Sequence, residues 1–136
     1  MNYQIIAVVA AGGAVGAVVR WFLGVGMNGV FPGVPLGTLT ANMAGGLIIG
    51  FLVATVARMP TLSPVVRAFI GVGFCGGLTA FSAFSAEAVI MFMQGRLIWA
   101  AATVFANVFG TVSMTVVGIY CISWFSRGGV IFKTLN

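Results

Sequence analysis

Two phenylalanines, two serines and one carboxylate lie close together in an otherwise apolar part of the sequence. Phe81 and Phe84 are three residues apart, Ser82 and Ser85 repeat that spacing, and Glu87 is the only acidic residue in the chain. Residues three apart are neighbours on one helix face. Aromatic ring edges carry partial positive charge, and hydroxyl groups donate hydrogen bonds. The set could therefore hold an anion weakly, although two phenylalanines at this spacing more often only pack.

A glycine-rich run directly precedes this set, at Gly71, Gly73, Gly76 and Gly77. A glycine-rich, polar interruption at bilayer depth is costly unless it lines a cavity or binds something. We expect the helix to break near Gly73 to Thr79. Such a break would free backbone carbonyls and point the ends of two half-helices at one site.

The composition predicts the element that must position these groups. Of the 136 residues, 61% are hydrophobic and 5% are charged, whereas a soluble domain has about 25% charged residues. The chain is therefore expected to be an all-α integral membrane protein. A spanning helix needs about 20 apolar residues, which leaves room for a single domain, 1–136, with four spans at about 4–25, 37–57, 68–93 and 97–125.

Several functions lack the residues that they would need. With no histidine and one carboxylate, a metalloenzyme or an acid–base hydrolase is not expected, and we predict that the chain is not an enzyme. Six scattered basic residues do not form a nucleic-acid-binding patch. The first segment has no basic amino-terminal region, so we do not expect it to be a removable signal peptide.

Polar residues in the other spans are further candidates. Arg20, near the far end of the first span, either snorkels to the interface or supplies a positive charge in the vestibule of an anion path. Asn42 lies inside the second span, and its amide either bonds another helix or donates to an anion in a pore. The fourth span has polar residues at intervals of four, which form either a packing seam or a hydrophilic track: Thr103, Asn107, Thr111 and Thr115.

The basic residues are only weakly biased across the membrane, and the larger number lies on the side of both termini, which favours termini in the cytoplasm. Four spans place Arg58, Arg67, Arg127 and Lys133 on one side, and Arg20 and Arg96 on the other. Because positive charge sets topology, a chain with so weak a bias could insert in both directions and form an antiparallel homodimer.

Three segments together resemble the small fluoride channels of the CrcB (Fluc) family. They run from Gly12 to Arg20, from Gly37 through Asn42 to Gly45, and from Gly73 through the Gly-Gly-Leu-Thr-x-Phe-Ser-x-Phe-Ser sequence to Glu87. The resemblance covers nearly the whole chain. Ala80 and Ala83 depart from it, because family members commonly have threonine at those positions.

The resemblance implies a multi-pass protein of the cell inner membrane, surrounded by lipid, that forms an antiparallel dual-topology homodimer with two pores. It implies a broken third helix with a central sodium ion, held by the backbone carbonyls of Gly76 and Thr79 from both subunits. The residues that it implies along the fluoride path are Asn42, Phe81, Phe84, Ser82, Ser85, Thr111 and, less directly, Thr103 and Asn107.

Two other functions stay open from the residues alone. A small proton-coupled multidrug exporter also has four spans, and it would use Glu87 as its membrane-buried carboxylate. A non-transporting accessory subunit would explain the small residues but would leave the polar track without a role. The role of Glu87 is the point on which the residues are least decisive, and a structural hydrogen-bonding role near the interface is favoured.

Overall fold

A computed structural model describes residues 2–125 of the chain. That part is entirely helical where it is regular. Its elements, in order, are α1 (Tyr3–Met27), α2 (Leu36–Arg58), α3 (Pro64–Arg67), a π-helical segment π1 (Ala68–Cys75), α4 (Gly76–Leu78), α5 (Phe81–Met93) and α6 (Leu97–Phe125).

Four of the described helical stretches are long and apolar enough to cross a membrane: Tyr3–Met27, Leu36–Arg58, Pro64–Met93 and Leu97–Phe125. The third comprises α3, π1, α4 and α5, with two non-helical residues between α4 and α5. The prediction of an all-helical protein with four long apolar helices is confirmed. Arg127 and Lys133, used above in the charge comparison, lie outside the described residues.

Glycines let α1 pack directly on the backbone of the third span. A Cβ atom added to Gly12 would lie 2.7 Å from the carbonyl oxygen of Phe69, and one added to Gly16 would lie 2.2 Å from that of Phe74. Real Cβ atoms are not found so close to backbone atoms. The Gly12–Gly16 pair therefore allows the close packing that its spacing predicts.

A second glycine pair joins α2 to α6. A Cβ atom at Gly46 would lie 2.6 Å from the carbonyl oxygen of Thr111, and one at Gly50 would lie 2.2 Å from that of Thr115. The two helices thus meet backbone to backbone along the part of α6 that carries its polar residues. This close contact holds the α6 track beside Asn42, which lies on α2.

The third span is interrupted after its glycine-rich part rather than within it. The backbone stays helical through Leu78 and becomes extended at Thr79 (ψ 149°) and Ala80 (φ −148°), and α5 begins at Phe81. Gly77 has a different task, because a Cβ atom there would lie 2.3 Å from the carbonyl oxygen of Gly13. A glycine-rich composition is consistent with either a break or close packing. At Gly77, the structure shows close packing on α1.

Arginine contacts show which ends of the helices lie together. The side chain of Arg96 donates to the carbonyl of Pro32, so the turn after α5 lies beside the α1–α2 loop. At the other end, the Nη2 atom of Arg58 donates to the carbonyl of Ser123 over 3.2 Å. Arg96 therefore lies at the end formed by the α1–α2 loop, and Arg58 lies at the opposite end.

Candidate functional site

Asn42 connects three parts of the fold through one buried amide. Its side chain is 4% exposed. Its Nδ2 atom donates to Oδ1 of Asn107 on α6 over 2.8 Å, and its Oδ1 atom accepts the backbone N–H of Ala80 over 2.7 Å. Asn42 thus joins α2 to α6 and also supports the extended residues between α4 and α5.

This contact changes the hydrogen bonding of the glycine carbonyls. In an uninterrupted α-helix, the N–H of Ala80 would bond to the carbonyl of Gly76. Here Asn42 accepts that N–H instead. The carbonyl of Gly77 accepts from Nε of Arg20 over 3.2 Å. The carbonyl of Gly76 thus loses its helical donor, and a Cβ atom added at Gly76 would meet nothing within 4 Å.

Thr79 lies between the two half-helices, and it is tied back to the first. Its N–H and its Oγ1 hydroxyl both donate to the carbonyl of Cys75, each over 2.9 Å. Its own carbonyl belongs to neither α4 nor α5. Thr79 is also held against α2, because a Cβ atom at Gly45 would lie 2.2 Å from its Cγ2 atom.

A cavity of about 430 Å³ opens beside this junction. Four of the predicted path residues, Asn42, Phe81, Phe84 and Thr111, line it together with Thr79. The remaining lining residues are Gly45, Gly46, Ile49, Val108, Val112 and Thr115. The structure therefore brings the aromatic pair, the asparagine and part of the α6 track around one space.

The two phenylalanine rings meet edge to face on this cavity. Their centroids are 4.7 Å apart, and the ring planes are inclined by 67°. Phe84 is 6% exposed, whereas Phe81 is 74% exposed. One ring is thus fixed by packing, while the other faces the open side of the cavity.

The polar residues of α6 divide into two kinds. Thr111 lines the cavity, and its Oγ1 atom is buried with no hydrogen-bond partner. Thr103 and Asn107 lie deeper. The hydroxyl of Thr103 contacts Sδ of Met91 at 3.5 Å, and Nδ2 of Asn107 donates to the carbonyl of Thr103 over 2.9 Å. These two residues position the lining without being part of it.

The two serines are not brought to this cavity. Ser82 is exposed and Ser85 is half-buried, and the lining includes neither of them. They follow Phe81 and Phe84 on α5 by one residue, which turns them by about 100° around the helix axis. Within a single chain, the phenylalanines and the serines therefore face different sides.

A second cavity, of about 320 Å³, contains the carboxylate. Its lining includes Arg20, Asn28, Thr38, Ala83 and Glu87. The hydroxyl of Thr38 donates to Oε1 of Glu87 over 2.7 Å, and Nδ2 of Asn28 lies 3.4 Å from the same atom. The other oxygen of Glu87, Oε2, is buried and has no hydrogen-bond partner. The structure thus places Arg20 in the same cavity as the single acidic residue.

Comparison with known proteins identifies the family. The family described as "CrcB-like protein, Camphor Resistance (CrcB)" matches residues 7–119. The chain belongs to the CrcB family.

Its relatives in the family carry a more specific name. A protein of Chromobacterium violaceum named "Fluoride-specific ion channel FluC" is 50% identical over 125 residues, which cover 92% of this chain and 99% of the relative. A protein of the same name from Pseudomonas paraeruginosa is 45% identical over 122 residues, which cover 90% of this chain and 96% of the relative. Another, from Pseudomonas syringae pv. maculicola, is 49% identical over 112 residues, which cover 82% of this chain and 88% of the relative. They are named as channels rather than enzymes, which agrees with the prediction that the chain is not an enzyme.

Reasoning from the sequence missed the surroundings of Glu87. Neither Asn28 nor Thr38 was predicted to contact this carboxylate. The sequence feature that could have pointed to these partners is the carboxylate itself, because a single carboxylate in an apolar chain must find hydrogen-bond donors. Thr38 is 5% exposed and supplies one of them.

Proposed function

We propose that this chain forms a passive, fluoride-selective channel in the cell inner membrane, which lets cytoplasmic fluoride leave and relieves its toxicity. The observation that carries the proposal is the cavity at the interrupted third span, where Asn42, Phe81, Phe84 and Thr111 meet. The relatives named as fluoride-specific ion channels point to the same substrate.

The lining suits a small, strongly hydrated anion. Fluoride needs substitutes for its water, and conduction requires binding that is strong enough for entry and weak enough for exit. The hydroxyl of Thr111 has no hydrogen-bond partner within the protein, so its hydrogen is not engaged by another residue. Asn42 uses one of its two amide hydrogens on Asn107 and has a second to offer. The edges of Phe81 and Phe84 add weak positive charge.

The start of α5 adds to this attraction. The helix begins at Phe81, on the cavity. The first N–H groups of a helix have no intrahelical acceptors, and the helix dipole places partial positive charge there. The interruption at Thr79 and Ala80 is what allows this helix end to lie next to the cavity. A fluoride ion in the cavity would therefore be stabilised without a full positive charge in the lining.

We further propose that two antiparallel copies form two pores. A single chain leaves Phe81 74% exposed at the cavity, which leaves room for a second copy to cover this lining. The six basic residues of the chain are divided four to two between the two sides of the membrane. So weak a bias allows insertion in both directions, and insertion in both directions supplies an antiparallel partner.

A sodium ion at the junction of the two copies is the remaining part of the proposal. Hard cations take oxygen ligands. Gly76 has a carbonyl without its helical donor on an open side of the chain, and Thr79 has a carbonyl between the two half-helices. The carbonyls of both residues, from both subunits, would hold the ion. Such a cation would raise the electrostatic potential for anions nearby.

Fluoride efflux from liposomes tests the main proposal. Purified protein is reconstituted into liposomes loaded with potassium fluoride, and valinomycin is added to carry potassium. We expect fluoride to leave through the protein, whereas chloride in parallel liposomes stays inside. Retention of fluoride would contradict a fluoride channel, and equal release of chloride would contradict selectivity. Labelling of an amino-terminal cysteine from both sides of the membrane tests dual insertion separately.

One observation keeps a proton-coupled exporter as the second candidate. Oε2 of Glu87 is buried without a hydrogen-bond partner, as a proton-binding carboxylate could be. Glu87→Gln separates the two functions. An exporter would lose all transport, because its proton switch is gone, whereas a passive channel keeps fluoride flux that does not depend on a proton gradient.

A further inference from the structure

Two opposite charges line the second cavity, yet each is hydrogen-bonded to something else. Nε of Arg20 donates to the carbonyl of Gly77, and Oε1 of Glu87 accepts from Thr38. Oε2 of Glu87 is buried without a partner in the same cavity. In a low-dielectric site, a carboxylate and a guanidinium attract each other strongly, so the contacts that hold Glu87 decide whether it pairs with Arg20.

Asn28 contacts every element around this carboxylate. Its backbone N–H donates to Gly24 at the end of α1, over 3.0 Å. Its Oδ1 atom accepts the N–H of Thr38 near the start of α2, over 3.1 Å. Its Nδ2 atom lies 3.4 Å from both Oγ1 of Thr38 and Oε1 of Glu87.

The direction of these hydrogen bonds is fixed by the donors available. The hydroxyl of Thr38 has one hydrogen, which goes to Oε1 of Glu87 over 2.7 Å. Nδ2 of Asn28 therefore acts as the donor to both oxygens. Gly37 leaves the space for this arrangement, because a Cβ atom there would lie 2.7 Å from Oδ1 of Asn28 and 2.2 Å from the carbonyl oxygen of Leu23. The asparagine is thus built into the loop with its donor group aimed at the carboxylate.

We propose that Asn28 is a positioning residue for ion conduction, which, together with Thr38, keeps Glu87 from pairing with Arg20. The inference rests on the proposed channel function. The positive charge of Arg20 then stays available to an anion entering the cavity, and its contact with Gly77 beside the interrupted helix is kept. Without the donor of Asn28, Glu87 turns towards Arg20, neutralises its charge and draws it away from Gly77.

The test is a double-mutant cycle on fluoride flux in liposomes. Asn28→Asp keeps the oxygen that accepts the N–H of Thr38 but replaces the donor with a second acceptor. We expect it to lower flux about tenfold, within the range of coupling between residues in contact. Glu87→Gln removes the charge that Asn28 restrains. In the Glu87→Gln background, Asn28→Asp should therefore change flux by less than about twofold, because the coupling is gone.

Two further variants keep the test decisive. Asn28→Ala adds no charge, and its smaller loss of flux should also disappear in the Glu87→Gln background. Asn2→Asp makes the same chemical change at an exposed residue that caps the start of α1, and it should leave flux unchanged. Size-exclusion chromatography confirms that each protein is folded before flux is compared.

The possible failures are distinct. If wild-type protein passes no fluoride, the channel function itself is wrong. If wild type conducts, but Asn28→Asp lowers flux by the same factor with and without Glu87→Gln, Asn28 only caps the loop and the inference is overturned. Complete loss of flux in Glu87→Gln alone would also overturn it, because the carboxylate would then be needed for conduction rather than only restrained.

Discussion

Asn42 and Asn107 share a side-chain hydrogen bond of 2.8 Å between α2 and α6, in which Asn42 is the donor. The bond is one link of a longer series. The N–H of Ala80 donates to Asn42, Asn42 donates to Asn107, and Asn107 donates to the carbonyl of Thr103. Each amide is thereby held in one orientation. The position of the extended residues between α4 and α5 therefore depends on a residue of α6 that does not line the cavity.

Truncating Asn107, which is buried and does not line the cavity, should both destabilise the protein and disturb the proposed fluoride path. Asn107→Ala leaves Nδ2 of Asn42 buried without its acceptor, and an unsatisfied buried group costs about 1–3 kcal/mol. We expect thermal unfolding in detergent to show a loss of that size, together with reduced fluoride flux. Adding Asn42→Ala should cost less than the sum of the single losses, because the two residues share one bond. Additive losses would contradict the coupling.

The aromatic pair should separate conduction from folding. Phe81→Ile removes a ring that is 74% exposed within one chain, whereas Phe84→Ile removes a ring that is 6% exposed. Both variants should suppress fluoride flux at least about tenfold if ring edges stabilise the anion, and both should keep the elution volume of wild type in size-exclusion chromatography. Only Phe84→Ile should also lower the unfolding temperature. Full flux in both variants would remove the ring edges from the mechanism.

The sequence predicted the four long helices because hydrophobic composition and length decide whether a segment crosses a membrane. The four-residue spacing of Gly12–Gly16 and of Gly46–Gly50 is typical of glycines that allow close helix packing, and both pairs lie at such contacts. The exact position of the interruption could not be predicted from the glycines, because Gly77 is required for close packing on Gly13. The extended backbone lies instead at Thr79 and Ala80, where Asn42 supplies an acceptor from another helix.

The candidate site was predicted in part for a similar reason. Spacing placed Phe81 and Phe84 on one helix face, and both line the cavity. Spacing could not tell that Thr111 lines the cavity while Thr103 is covered by Met91. Thr103 and Thr111 lie on the same face of α6 and differ only in what packs against them. The spacing of residues within α6 carries no information about those contacts.

Two neighbouring glycines provide a matched test of the proposed dimer. A Cβ atom at Gly77 would lie 2.3 Å from the carbonyl oxygen of Gly13, while one at Gly76 would meet nothing within 4 Å. Gly77→Ala should therefore destabilise the individual chain by about 1–3 kcal/mol through overpacking. Gly76→Ala should not destabilise the chain and should raise its free energy of unfolding by up to about 1 kcal/mol, because Gly76 has helical backbone angles. It should weaken only the association of two copies.

Analytical ultracentrifugation in detergent, with and without sodium, measures that association. If the second copy and a sodium ion lie against Gly76, the dimer fraction of Gly76→Ala should fall, and sodium should stabilise it less than it stabilises wild type. An unchanged monomer–dimer equilibrium in Gly76→Ala would show that no second copy packs on this glycine.

The buried hydroxyl of Thr111 gives the clearest separation of function from stability. Because Oγ1 of Thr111 is buried without a partner, it already carries the cost of lost hydration. Thr111→Val keeps the shape of the side chain and removes that hydroxyl, so stability should stay the same or rise by about 1 kcal/mol. Fluoride flux should nevertheless fall several-fold, since a donor to the anion is lost. Thr115→Val is the control on the same cavity, because the hydroxyl of Thr115 already donates to the carbonyl of Thr111 over 3.0 Å, and its flux should fall less. A Thr111→Val protein that conducts like wild type would show that this hydroxyl does not contact the permeating ion.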